Sequence, residues 1–121
     1  MALQRIILEM GTGNDLYGED YTKAANRAVQ DALHHSSISL FPSLDIDSAS
    51  MQVNVTVGVQ QPDKVDTDAV AASLPRGKAT VKAVKGGLNL LDEVTGRTTV
   101  VATVGIEAWL DIPDRWNQSL L

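Results

Sequence analysis

The segment that most constrains this chain is a helix with an almost featureless buried side. Tyr21, Ala24, Ala25, Ala28, Val29, Ala32 and Leu33 recur at spacings of three and four, which puts them on one helical face. Asp20 is well suited to cap the first turn. His34-His35 closes the helix, where partial cations suit the negative end of its dipole. Four of the seven face positions are alanine. A stripe that smooth lets the helix approach a sheet closely, so the strands decide the rest of the fold.

Several segments have strand periodicity. Met51 to Val59 alternates, with Met51, Val53, Val55, Val57 and Val59 on one side and Gln52, Asn54, Thr56 and Gly58 on the other. Arg97 to Leu110 is a longer strand. It sets Thr98, Val100, Ala102, Val104, Ile106 and Ala108 against Thr99, Val101, Thr103, Gly105 and Glu107. Gly77 to Lys85 is a third strand, and Gly86-Gly87 marks a bend after which Leu88 to Leu91 continues it. Leu3 to Met10 is the first strand, with Ile6, Leu8 and Met10 on one face and Arg5, Ile7 and Glu9 on the other. Gly11-Thr12-Gly13-Asn14-Asp15 then has loop chemistry. Asp66 or Thr67 caps a short helix through Ala69 to Ala72 that Pro75 stops. Ser36 to Ser50 is a polar connection anchored by apolar residues such as Phe41.

The order strand-helix-strand-helix-strand-strand predicts an α+β fold in one domain, residues 1–121. It is a two-layer sandwich with a four-stranded mixed sheet and two helices on one face. The uncovered face carries Ile7, Thr56, Thr80, Val101 and Thr103 and few charges. Such a face is usually covered by another subunit. The expected partner is therefore the chain itself, in a homo-oligomer built on a trimer, because three sheets can wall a common interior.

Composition excludes several classes. With 121 residues, 44% hydrophobic and 21% charged, the chain can order itself around a core. It has no cysteine, so disulfides, thiolate metal sites and cysteine nucleophiles are ruled out. A net charge of -5 argues against nucleic acid as a partner. No apolar run approaches the about 20 residues of a membrane helix. The expected setting is the cytoplasm, with no cofactor and no membrane partner.

The candidate chemistry is sparse. Lys23 and Arg27 lie four residues apart on the first helix, where like charges repel. They are either part of a solvated face, with Arg27 offset by Asp31, or an anion clamp reaching towards the GTGND segment. Arginine's planar fork suits carboxylates, phosphates and cyclic amides. GTGND is not a phosphate loop, because Gly18 comes too late after Gly13. As a site-forming loop, it would contribute Asn14 and Asp15. Glu9 is either a salt-bridge partner of Lys82 or Lys85 or a general base. His34-His35-Ser36-Ser37 lacks a third group to orient a nucleophile. Asp45, Asp47 and Ser48 lack the glycine and terminal glutamate of a calcium loop, so no metal site is expected.

The segments RIILEMGTGNDLYGEDYTKAANRAVQDALHHSS, VNVTVGVQQPDKVDTDAV and VKGGL resemble a family of small bacterial conserved-hypothetical proteins of about this length. That resemblance implies no established activity. A fainter one links GTGN, the helix start Asp20-Tyr21-Thr22-Lys23 and the strand Val55 to Val59 to one repeat unit of the cyclic amide hydrolases, which open cyanuric acid or barbiturate rings and are built from three similar units around a pseudo-threefold axis. Those hydrolases use a lysine just after the first strand, where this chain has Met10, Gly11 and Thr12. Their serine lies on a later strand, and Thr56 is its nearest equivalent here. The resemblance implies Lys23 as an anion or carbonyl contact, and a threefold assembly. The same element order occurs in trimeric chorismate-mutase-like folds, whose ligand sites lie between subunits.

The expected function is a homo-oligomeric binder of a small polar or anionic molecule at subunit interfaces, through Lys23, Arg27, Asn14, Asp15, Glu9 and Thr56. The alternatives are a ring-opening cyclic amide hydrolase and an interaction protein with no small ligand.

Overall fold

The structure, a computed structural model, describes residues 2–16, 18–34, 51–74 and 78–112. The 36–50 connection, His35, the acidic cluster at 45–48 and Pro75 lie outside the described residues. Helix α1 spans Tyr21–His34 and buries Tyr21, Ala24, Ala25, Ala28, Val29 and Ala32. Asp20 caps it, its Oδ1 accepting the Lys23 backbone N–H at 3.0 Å. Helix α2 is short, Thr67–Ala72, and Asp66 caps it by accepting the Ala69 N–H at 3.1 Å.

The strands are β1 (Ala2–Asp15), β2 (Gln52–Val59), β3 (Lys78–Lys85), β4 (Leu88–Leu91) and β5 (Thr98–Ile112). Their order is β1-β5-β2-β3, with β4 also paired to β5. The long β5 is thus central and antiparallel to β1, β2 and β4, while β2 and β3 are parallel and joined through α2. The α+β class holds, but the mixed sheet has five strands where four were expected. Gly87, at φ +60°, turns the chain so that Leu88–Leu91 leaves β3. It pairs with β5 past the end of β2: Gly58 lies opposite Thr103, and Leu88 opposite Val101.

The second correction concerns Gly11 to Asp15, which continue β1 rather than looping. They pair with Val104 back to Val100 on β5. Gly11 and Gly13 face α1 at its alanine stripe. A Cβ on Gly11 would lie 2.6 Å from Ala32 N, and one on Gly13 would lie 2.6 Å from the Ala24 carbonyl oxygen. The glycines therefore serve close helix-to-strand packing rather than a turn. A third correction follows from a register shift between Arg5 and Ile7. It sets Arg5 opposite Trp109 and Leu8 opposite Glu107, so Arg5 shares the open face with Leu8 and Met10.

One apolar cluster holds the layers together. The alternating valines of β2, the inner face of β5 from Val100 to Leu110, the α1 stripe and Val70 of α2 are all buried in it. The other face of the sheet has no helix on it among the described residues.

Candidate functional site

Two places gather the residues expected to bind a ligand. The first is the end of β1 against the start of α1. Asp15 is only 5% exposed, the one buried charged residue among those described. Its Oδ2 accepts the Asp20 backbone N–H at 2.9 Å. Its Oδ1 faces Lys23 Nζ at 3.7 Å and an Arg27 guanidinium nitrogen at 3.8 Å. Arg27 also donates to the Asn14 carbonyl at 2.6 Å. The Asp20 amide above all holds the Asp15 carboxyl below its usual range. Burial opposes this, while Lys23, the Gly18 amide and Arg27 add to the lowering. Asn14, Asp15, Lys23 and Arg27 thus meet, with the two cations converging on the chain's own carboxylate.

A shallow hollow of about 590 Å³ runs along α1 beside them, lined by Lys23, Asn26, Arg27, Asp31 and His34 among others. Asp31 Oδ2 accepts the Thr12 backbone N–H at 3.0 Å. Asp15 pairs with both cations, and Asp20 and Asp31 also line the hollow, so it has no excess of positive charge to draw an anion.

The second place is the open sheet face. Register aligns Met10, Gly105, Thr56 and Lys82 in one row across β1, β5, β2 and β3. The next row is Thr12, Thr103, Gly58 and Val84. Gly105 and Gly58 contribute no side chain, which sinks the middle of both rows. The result is a groove of about 620 Å³, also lined by Lys85 and Gly86. That volume suits a small ligand. Three threonine hydroxyls, each both donor and acceptor, stand in it. Gln60 Nε2 holds its rim by donating to the Gly86 and Gly87 carbonyls at 3.1 and 3.2 Å.

Glu9 belongs to neither place. It lies opposite Ile106, on the helix side of the sheet, whereas Lys82 is on the open side opposite Thr56. Strands β5 and β2 separate β1 from β3, about 14 Å for three strand spacings. The expected Glu9 salt bridge to Lys82 or Lys85 is therefore out of reach. Of the expected ligand residues, only Thr56 lines the groove. Thr12, Thr103, Gly105 and Lys85 were not singled out as ligand contacts, and only knowledge of the register could have grouped them. Among the described residues no cluster of three or more metal-ligating side chains occurs.

These features define an α+β protein with helices on one sheet face and a threonine- and glycine-lined groove on the other. The family model of the conserved hypothetical proteins Lin0512_fam matches residues 5–108, and the chain belongs to that family. Its structure is similar to that of an FtsZ-like protein of unknown function from Nostoc punctiforme. The two share 28% identity at a TM-score of 0.79, over 93% of this chain and 99% of that one. No protein of curated function matches the sequence significantly. Neither the family nor this neighbour carries the name of a cyclic amide hydrolase.

Proposed function

We propose that this member of a family of unknown function binds a small polar molecule in the open-face groove and works as a cytoplasmic homo-oligomer built on a trimer. The observation that carries the reading is the groove itself: a ligand-sized hollow floored by Gly58 and Gly105 backbone and walled by Thr12, Thr56 and Thr103. Hydroxyls, each both donor and acceptor, suit a ligand with both donors and acceptors better than a bare anion. The cytoplasmic setting fits a chain without cysteine, and no described helix is long and apolar enough to cross a membrane.

Lys23 and Arg27 enter this reading as an internal brace on Asp15 rather than as a free clamp. The hydrolase alternative rests on Thr56, whose position in the groove is where a nucleophile would meet a ring substrate. No described base hydrogen-bonds to its hydroxyl, so binding without turnover is the reading favoured.

Native mass spectrometry of the protein purified from its own cells tests the proposal. A bound mass present on wild type and lost on Gly105→Leu supports it, because a Cβ at Gly105 meets nothing within 4 Å and the longer side chain fills only the groove. A bound mass that Gly105→Leu retains would put the ligand elsewhere.

A further inference from the structure

We infer that the open sheet face is the surface through which copies of this chain associate, each copy's face covered by another. The inference rests on the homo-oligomeric part of the reading above and names the surface involved. Exposed large apolar side chains concentrate on this face. Register puts Leu3, Leu8, Met10, Val84, Leu88 and Leu90 there, from 40% exposed at Val84 to 70% at Met10. Elsewhere among the described residues only Leu16, Leu91 and Val94 are comparable. A concentration of that kind marks an interaction site, whereas scattered apolar residues do not.

Charge points to a second copy rather than to a charged partner. By register the described charged side chains on the face are Arg5, Lys82, Glu107 and Asp111, and Lys85 and Asp31 line its groove, so the two signs balance, within a chain of net charge -5. Arg5 and Glu107 already satisfy one another at 3.2 Å. Two such faces can be apposed without net repulsion, although the chains as wholes repel. The extent also fits. Strands about 4.8 Å apart, with about 3.3 Å per residue, give the paired lengths of the five strands a face of roughly 760 Å². A stable interface takes about 800 Å² from each partner. Association would also place the groove at the subunit boundary, so the covering copy would roof it.

Sedimentation velocity with paired variants tests the surface. Leu8→Lys/Leu90→Lys changes two face residues that do not line the groove. Val94→Lys changes an equally apolar residue at the β4–β5 turn, off the face. At 50 µM, wild type and Val94→Lys should sediment as an oligomer, and the double variant as a 12.9 kDa chain with an unchanged far-ultraviolet spectrum. A second disruption, Met10→Asp, guards against loss of fold in the first and should also give a folded monomer. A monomeric wild type overturns the inference, as does an oligomer that survives both sets of face substitutions. Loss of the groove ligand in Gly105→Leu reads the binding proposal separately, so failure of one is distinguishable from failure of the other.

Discussion

Gly13 on β1 and Ala28 on α1 meet backbone to backbone, so closely that a methyl group on Gly13 would collide with the Ala28 nitrogen. The helix sits on the strand because both partners have given up side-chain volume. Gly13→Ala should therefore destabilise the fold by about 3 kcal/mol, since backbone on both sides must move. Gly105→Ala, with open space around its new Cβ, should stay within about 0.5 kcal/mol of wild type. Urea melts of the two variants make the comparison.

Ala28→Leu enlarges the same contact from the helix side and should cost about 1–3 kcal/mol. Lys23→Ala removes a half-exposed cation that lies 3.7 Å from the Asp15 carboxylate, which should cost less than about 1 kcal/mol. If Lys23→Ala proved the more damaging in thermal melts, the brace on Asp15 would matter more than the packing of the alanine stripe.

Asp15 gives the fold a pH dependence with a defined sign. Its carboxyl is held below the ordinary value of 3.8, chiefly by the Asp20 amide. A group depressed in the folded state stabilises above its unfolded pKa, and that contribution is lost as pH falls through the folded value. Asp15→Asn should therefore melt below wild type at pH 7, by the equivalent of about 1–3 kcal/mol. The gap should close as pH drops from about 4 downwards. A gap that widened on acidification would contradict the geometry.

The sequence made some of this architecture legible and hid the rest for physical reasons. The α1 stripe and the alternating valines of β2 could be read because burial imposes a local period on each element. The capping roles of Asp20 and Asp66 were visible for the same local reason. Gly11 and Gly13 misled because glycine commonly signals a turn. Their two-residue spacing matches strand alternation, and the Ala24, Ala28 and Ala32 series opposite was the clue to their packing role. β4 was hidden because its pairing with β5 depends on the left-handed turn at Gly87 and on where β2 ends. At the candidate sites, the i, i+4 spacing of Lys23 and Arg27 put both on one side of α1, and the structure sets both beside Asp15 at the end of β1. The groove could not be foreseen. It exists because register brings Gly58 and Gly105 into neighbouring rows of the sheet, and cross-strand register is not a local property.

The central claim is that the groove over Gly105 holds a small polar molecule, and a thermal-shift screen tests it most directly. The panel is made of small hydroxy acids, amides, cyclic imides and phosphates, run on wild type and on Gly105→Leu. A ligand bound only by the folded chain raises its melting temperature with concentration. At least one compound should do so for wild type and leave the folded Gly105→Leu protein unmoved. A panel that shifts neither protein, or a shift that Gly105→Leu keeps in full, would contradict the account.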